Sequence, residues 1–319
     1  MKRLAFVFIT YVCSLVAFNS VAFASSIDLK QNQSGIQMSP FLENINLDPS
    51  KSSISFNINY SNSTNKIQEL DLTTEDFGSL NNTGGILLEG SNPYTEKYGL
   101  TAWMSLSSNT VTLNPNSSAS VQVTIKNESS LSPGGHYGAV IAKVNNFNNS
   151  SNGNIVTINQ QLVNLVLIDK TGGDHFNLKL TDIKNNGNWL VLPSSVVLTF
   201  QNPGNVQVVP RGLVRLLSPT GKTLAQGIIN PQSSFILPES YQDFIVNLNA
   251  VSKDYAYPGI YSLSVDFRYD GLSSYYNQKL EIKYVDFQGF ILLLILVWLL
   301  FFAYKKVTKF KTKNRLKKN

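Results

Sequence analysis

The chain has 319 residues, with 26 Lys and Arg against 20 Asp and Glu, 43% hydrophobic residues and a single cysteine, Cys13. The formal charge of +6 suggests a nucleic-acid partner only until it is divided along the chain: two basic residues lie in 1–24 and eight in 305–319, leaving 16 against all 20 acids. The portion between is therefore mildly acidic, nucleic acid is excluded as its partner, and with one cysteine the fold must rest on an apolar core rather than on disulfides.

The chain opens with Met1-Lys2-Arg3, an apolar run from Leu4 to Phe18, and Ala22-Phe23-Ala24. Residues 1–24 read as a secretory signal peptide. Period-two alternation follows over most of residues 26–285. In "ISFNINY" Ile54, Phe56, Ile58 and Tyr60 fall on one face; in "VVLTF" Val196, Leu198 and Phe200 do so; in "YSLSVDFRY" Tyr261, Leu263, Val265, Phe267 and Tyr269 do so. Such alternation means strands with one buried face. Turn formers separate them, among them Asp48-Pro49, Gly84-Gly85, Asn114-Pro115, Asn202-Pro203-Gly204 and Pro219-Thr220-Gly221. The expected fold class is all-β: two tandem Ig-like antiparallel β-sandwiches, residues 25–168 and 175–285, joined by a linker at 169–174. "NNFNNSSNGN", 145–154, reads as a polar hairpin loop.

The apolar stretch 287–304, interrupted only by Gln288, is expected to be a C-terminal transmembrane helix. The basic residues of 305–319 would form a cytoplasmic tail. The expected localisation is the cell membrane, single-pass, with an extracellular N-terminal ectodomain. An exported portion without cysteine and rich in Asn and Ser fits a bacterial surface.

One pattern occurs twice. "LSPGGHYGAVIAKV" (131–144) and "YAYPGIYSLSVDF" (255–267) both place Pro-Gly and then Tyr before an apolar run. Pro-Gly makes a tight corner, and Tyr137 or Tyr261 is expected to bond its hydroxyl back across that corner, as the tyrosine corner of Ig-like sandwiches does.

Catalytic and metal-binding constellations are missing from the sequence: His136 and His175 belong to different expected domains, no cysteine nucleophile is available, and no spacing resembles a zinc site. No enzyme activity, cofactor or metal is expected. Binding is the remaining class. The long connection "FGSLNNTGGILLEGSNPYTEKYGLTAW" carries Tyr94, Tyr98 and Trp103 among amides and glycines, a mixture suited to stacking on sugar rings; the alternative is that Trp103 fills the core. Tyr255, Tyr257, Tyr275 and Tyr276 are candidates for a protein-docking face. An exposed edge strand accepting a partner's strand is a second route to protein binding.

Several segments resemble the WxL-interacting protein family of Gram-positive cell surfaces: "MSPFLENINLDPSKSSISFNINYSN", "VTLNPNSSASVQVTI" and "LSPGGHYGAVIAKV" in the first part, then "VVLTFQNPGNVQVVPRGLVRLLSPTGKTLAQ", "SFILPES" and "YPGIYSLSVDF" in the second. The resemblance implies a first domain binding peptidoglycan or another surface glycan, a second binding WxL-like surface proteins, and a membrane anchor. The function it implies is a non-enzymatic membrane-anchored scaffold between cell wall and surface proteins. The alternative is an adhesin or a fimbrial-chaperone-like binding module that recognises a host or partner protein.

Overall fold

The structure is a computed structural model and describes residues 35–145, 160–252, 257–269, 272–285 and 287–315. The expected signal peptide, loop residues 146–154, Tyr255 and the last residues of the basic tail lie outside the described residues. The chain divides into two compact units, Met1–Gly35 and Ile36–Asn319, and every element below belongs to the second.

In chain order the first group of elements is β1 (Ile36–Ser39), β2 (Leu42–Leu47), β3 (Ser53–Asn62), β4 (Gln68–Leu80), β5 (Gly85–Glu89), α1 (Pro93–Tyr98), β6 (Met104–Leu106), β7 (Thr110–Leu113), β8 (Ser117–Lys126), β9 (Gly134–Asn145) and β10 (Gln161–Lys170). They build a sheet in the order β1-β3-β8-β6 and a second in the order β2-β10-β9-β4-β5, with β7 also on β4. The next group is β11 (Lys179–Asn185), β12 (Ser195–Gln201), β13 (Pro210–Leu217), β14 (Thr223–Ile229), β15 (Tyr241–Asn247), β16 (Asn249–Ala250), β17 (Gly259–Tyr269) and β18 (Tyr276–Tyr284), in sheets β11-β12-β15 and β16-β14-β13-β17-β18.

Alternation decides what is buried. Along β12 Val196, Leu198 and Phe200 are buried while their neighbours are half-buried. Along β17 Tyr261, Leu263, Val265 and Phe267 enter a core shared with Val214 and Leu216 of the neighbouring strand β13 and with Phe244 and Val246 of the facing sheet. In the first group Ile58, Tyr60, Val121 and Val123 meet Leu70, Leu72, Val140 and Ala142 across the sandwich. β9 does not alternate, because both of its faces are covered: every residue from Gly134 to Ala142 is buried. Its inner face enters the core, and its outer face packs under Leu237 and Phe235 of the second group.

The sheets are not antiparallel throughout. β1 pairs antiparallel with β3, the Ser39–Pro40 peptide is cis, and β2 then crosses to the other sheet and runs parallel to β10 from Leu165 to Lys170. Two short strands of one N-terminal run thus close opposite sheets.

The C-terminal element corrects the expected membrane anchor. Helix α2 (Phe287–Arg315) continues through Lys305 to Arg315 without a break, so the apolar stretch and the basic stretch form one helix rather than a span followed by a separate tail. Among the described residues no helix is long and apolar enough to cross a membrane. The expected single-pass membrane localisation is withdrawn on that finding.

Candidate functional site

Strand β10 has two halves with different neighbours. Its whole length pairs with β9, from Gln161↔Lys143 to Lys170↔Gly134. On the other side β2 reaches only Leu165–Lys170. Among the described residues nothing pairs with the outer edge of Gln161–Asn164. The direction of its backbone groups follows from two bonds. Gln160 O accepts from Val144 N at 3.0 Å, toward β9, whereas Leu165 N donates outward to Phe41 O at 2.9 Å. Alternation then aims the N–H and C=O of Gln161 and Val163 outward as well. Beside this edge Phe41 stands 73% exposed, and Asn164 Nδ2 donates to Pro40 O at 2.8 Å, closing the point where β2 departs.

The outer face of β9, β10 and β2 meets the second group of elements. Tyr137 is fully buried there, and its hydroxyl donates to Gln207 Oε1 at 2.9 Å. Gln207 Nε2 donates on to Asn44 Oδ1 at 3.1 Å. Gly135 N donates to Asn205 O at 2.7 Å and Asp243 N to Asn82 O at 2.9 Å. Gly135 must be glycine for this arrangement, since a Cβ there would lie 2.0 Å from the Tyr137 hydroxyl.

This corrects the reading of the repeated Pro-Gly-Tyr pattern. Tyr261 does close its own corner: its hydroxyl donates to Tyr257 O at 2.8 Å and accepts from Tyr257 N at 3.0 Å. Tyr137 does not. It stands four residues after Pro133, whereas Tyr261 stands three after Pro258, and one extra residue turns a side chain to the opposite face of a strand. The positional counterpart of Tyr261 is His136. Its Nε2 lies 2.8 Å from Ser132 O, again four residues back, and its Nδ1 3.1 Å from Gly99 O. Burial holds the imidazole below its ordinary pKa, against the two carbonyls, which favour the charged ring.

The residues expected to stack on sugars do not share a surface. Asn92 caps α1 by accepting from Tyr94 N and Thr95 N, with Thr95 Oγ1 accepting from Asn92 N in return. This capping box, with Pro93 in the first turn, is why a short helix forms here. It places Tyr94 and Tyr98 with ring centroids 4.9 Å apart. The Tyr98 hydroxyl donates to Glu239 Oε1 at 3.0 Å, and Lys97 forms an ion pair with the same carboxylate. The Tyr94 hydroxyl is enclosed without a partner among the described residues, and burial pushes its pKa well up. Trp103 belongs to the opposite face of the sheet. It packs with Leu47, Leu100 and Ile168, meets His136 edge-on at 5.9 Å and donates through Nε1 to Ser130 Oγ at 3.0 Å.

The protein-docking candidates lie at two ends of one sheet. Tyr257 precedes β17. Tyr276 pairs with Phe267, roughly 27 Å along β17 from its start at Gly259 at about 3.4 Å per residue, and its ring stacks on Phe267 at 5.5 Å. Tyr275 beside it is exposed and lies under Arg268. The edge of β10, Gln207 and Asp169 were not singled out from sequence. The edge follows only from the pairing of β2.

No family model matches the chain, and no curated protein matches it. Among solved structures it is similar to a chain of the chaperone–tip adhesin complex of CFA/I fimbriae biogenesis, with a TM-score of 0.43 and 12% identity over 77% of this chain and 98% of that one. It is similar also to the class 5 fimbriae chaperone CfaA, with a TM-score of 0.42 and 10% identity over 77% and 98%, and to the Escherichia coli chaperone DraB, with a TM-score of 0.38 and 11% identity over 77% and 98%. None of these is a WxL-interacting protein. The resemblance to that family, which no family model and no curated relative supports, is withdrawn, and with it go peptidoglycan binding, a WxL-like partner and the wall scaffold.

Proposed function

We propose that this chain is a non-enzymatic, fimbrial-chaperone-like protein-binding module of two Ig-like sandwiches in tandem, which takes up an extended segment of a partner protein along the outer edge of Gln161–Asn164. The observation that carries this reading is the half-occupied edge of β10. A strand edge with unpaired N–H and C=O groups is a template for another strand, and strand addition gives affinity through main-chain bonds and specificity through alternate side chains. The outward groups of Gln161 and Val163 offer up to four such bonds, each worth about 0.5–1.5 kcal/mol net. The exposed Phe41 supplies apolar surface beside them.

The test is a photoreactive side chain at Gln161 in cells that make the protein. The expected result is a covalent adduct with a protein that persists in Val163→Ala and is lost in Val163→Pro. Proline at 163 removes an outward N–H that β9 does not use, a position at which an edge strand tolerates it. An adduct that survives Val163→Pro, with the thermal melt unchanged, refutes strand addition at this edge.

A further inference from the structure

The same face of β10 carries a buried acid that the proposed function does not use. Asp169 is 5% exposed, and its Oδ1 has no hydrogen-bond partner among the described residues. Alternation sets it on the face of Val163, Leu165 and Leu167, which packs against the second group of elements. It pairs in register with Gly135 on one side and Asn46 on the other. The Tyr137–Gln207–Asn44 chain therefore lies next to it, and the connection 171–178 to β11 begins two residues later. An ionised carboxylate enclosed without a full set of donors is costly, and hydration is its nearest remedy.

We propose that Asp169 makes the junction between the two groups of elements respond to protons: protonated, it stays enclosed and the junction closes; ionised, it favours opening, which admits water to the carboxylate. The groups around it do not offset the charge. Asp174 in the connection is an acid and Tyr137 on β9 is neutral; Asn44 and Asn46 on β2 and Asn205 and Gln207 from the second group carry no charge. Glu43, His136 and Lys170 turn to the other face, the His175 backbone is engaged by Asn205, and no ion pair joins any cation to Asp169 among the described residues. Burial first, and Asp174 after it, push the Asp169 carboxyl up to about 6. The sign follows: the closed form holds the proton more tightly than the open form, so closure is favoured at low pH and weakens as pH rises from about 4 through 6.

Hydrogen exchange in the full chain tests this, because the Gly135 and Asp243 amides donate across the junction. After correction for intrinsic exchange, protection of both should fall about tenfold between pH 5 and pH 7.5 in the wild type, while Val265 in the second core stays constant. In Asp169→Asn the fall should vanish. Asp174→Asn, which keeps the oxygen that accepts from Gly172 N and Gly173 N, should retain the fall with its midpoint moved to lower pH, and it serves if the first variant does not fold. Constant protection in the wild type, or a fall that persists in Asp169→Asn, overturns the proposal.

Discussion

Removing the Tyr137 hydroxyl should cost more stability than removing that of Tyr261, although Tyr137 loses one hydrogen bond and Tyr261 loses two. In Tyr137→Phe the ring and its packing against Phe77 and Tyr98 remain, so the loss is confined to the bond with Gln207. Gln207 is 8% exposed, and its Oε1 is left without a donor in a site closed to water. Leaving a buried acceptor unpaired costs about 1–3 kcal/mol. In Tyr261→Phe both lost partners are backbone groups of Tyr257, which is exposed; water replaces them, and the expected cost is about 0.5–1.5 kcal/mol. For units of this size 1 kcal/mol corresponds to roughly 2–4 °C in Tm. Scanning calorimetry should show Tyr137→Phe with the larger drop and with the transition split in two, because its bond couples the two groups of elements. Tyr261→Phe should lower Tm slightly without a split. The reverse order of costs, or a Tyr137→Phe trace that matches the wild type, would refute the view that burial of the abandoned partner outweighs the number of bonds.

Two further outcomes follow from the geometry, beside the tests at Val163 and Asp169. His136 is buried with its pKa depressed, so the unfolded chain takes up its proton first as pH falls; stability present above about pH 6.5 should be lost below it, and urea melts at pH 7.5 and 5.5 in an Asp169→Asn background should show that loss shrink in His136→Gln. Equal losses with and without His136→Gln would rule it out. The Lys97–Glu239 pair joins two side chains that are each more than half exposed; a double-mutant cycle at 0.15 M salt should give a coupling below about 1 kcal/mol, and a value above about 2 kcal/mol would mean that this pair, rather than Tyr137, holds the junction.

Strands with one wet face were legible in the sequence because their pattern repeats every two residues, as in "ISFNINY" and "YSLSVDFRY". β9 was legible as a strand, but not as one covered on both sides, since "GGHYGAVIAKV" is also what a plain core strand looks like. The spacing from the proline gives opposite parity for Tyr137 and Tyr261 and marks His136 as the corner residue. Tyr94 and Tyr98 looked like a binding loop because aromatic residues among amides serve equally well to seal a junction; composition does not separate the two uses. The β10 edge was out of reach because it depends on where β2 stops, a contact between residues more than a hundred positions apart.

The parallel ladder of β2 and β10 also sets how the first group bears mechanical load. Tension applied through the chain enters β2 at Leu42, and it leaves β10 at Lys170, at the opposite end of the same ladder. Pulling on those two points slides the strands past each other, so the ladder's bonds from Leu165 to Lys170 resist together. An antiparallel pair joined by a hairpin and pulled at its two free ends would open one bond at a time. Connected as it is, the strand that leaves half of β10 open also works as a shear clamp on the other half.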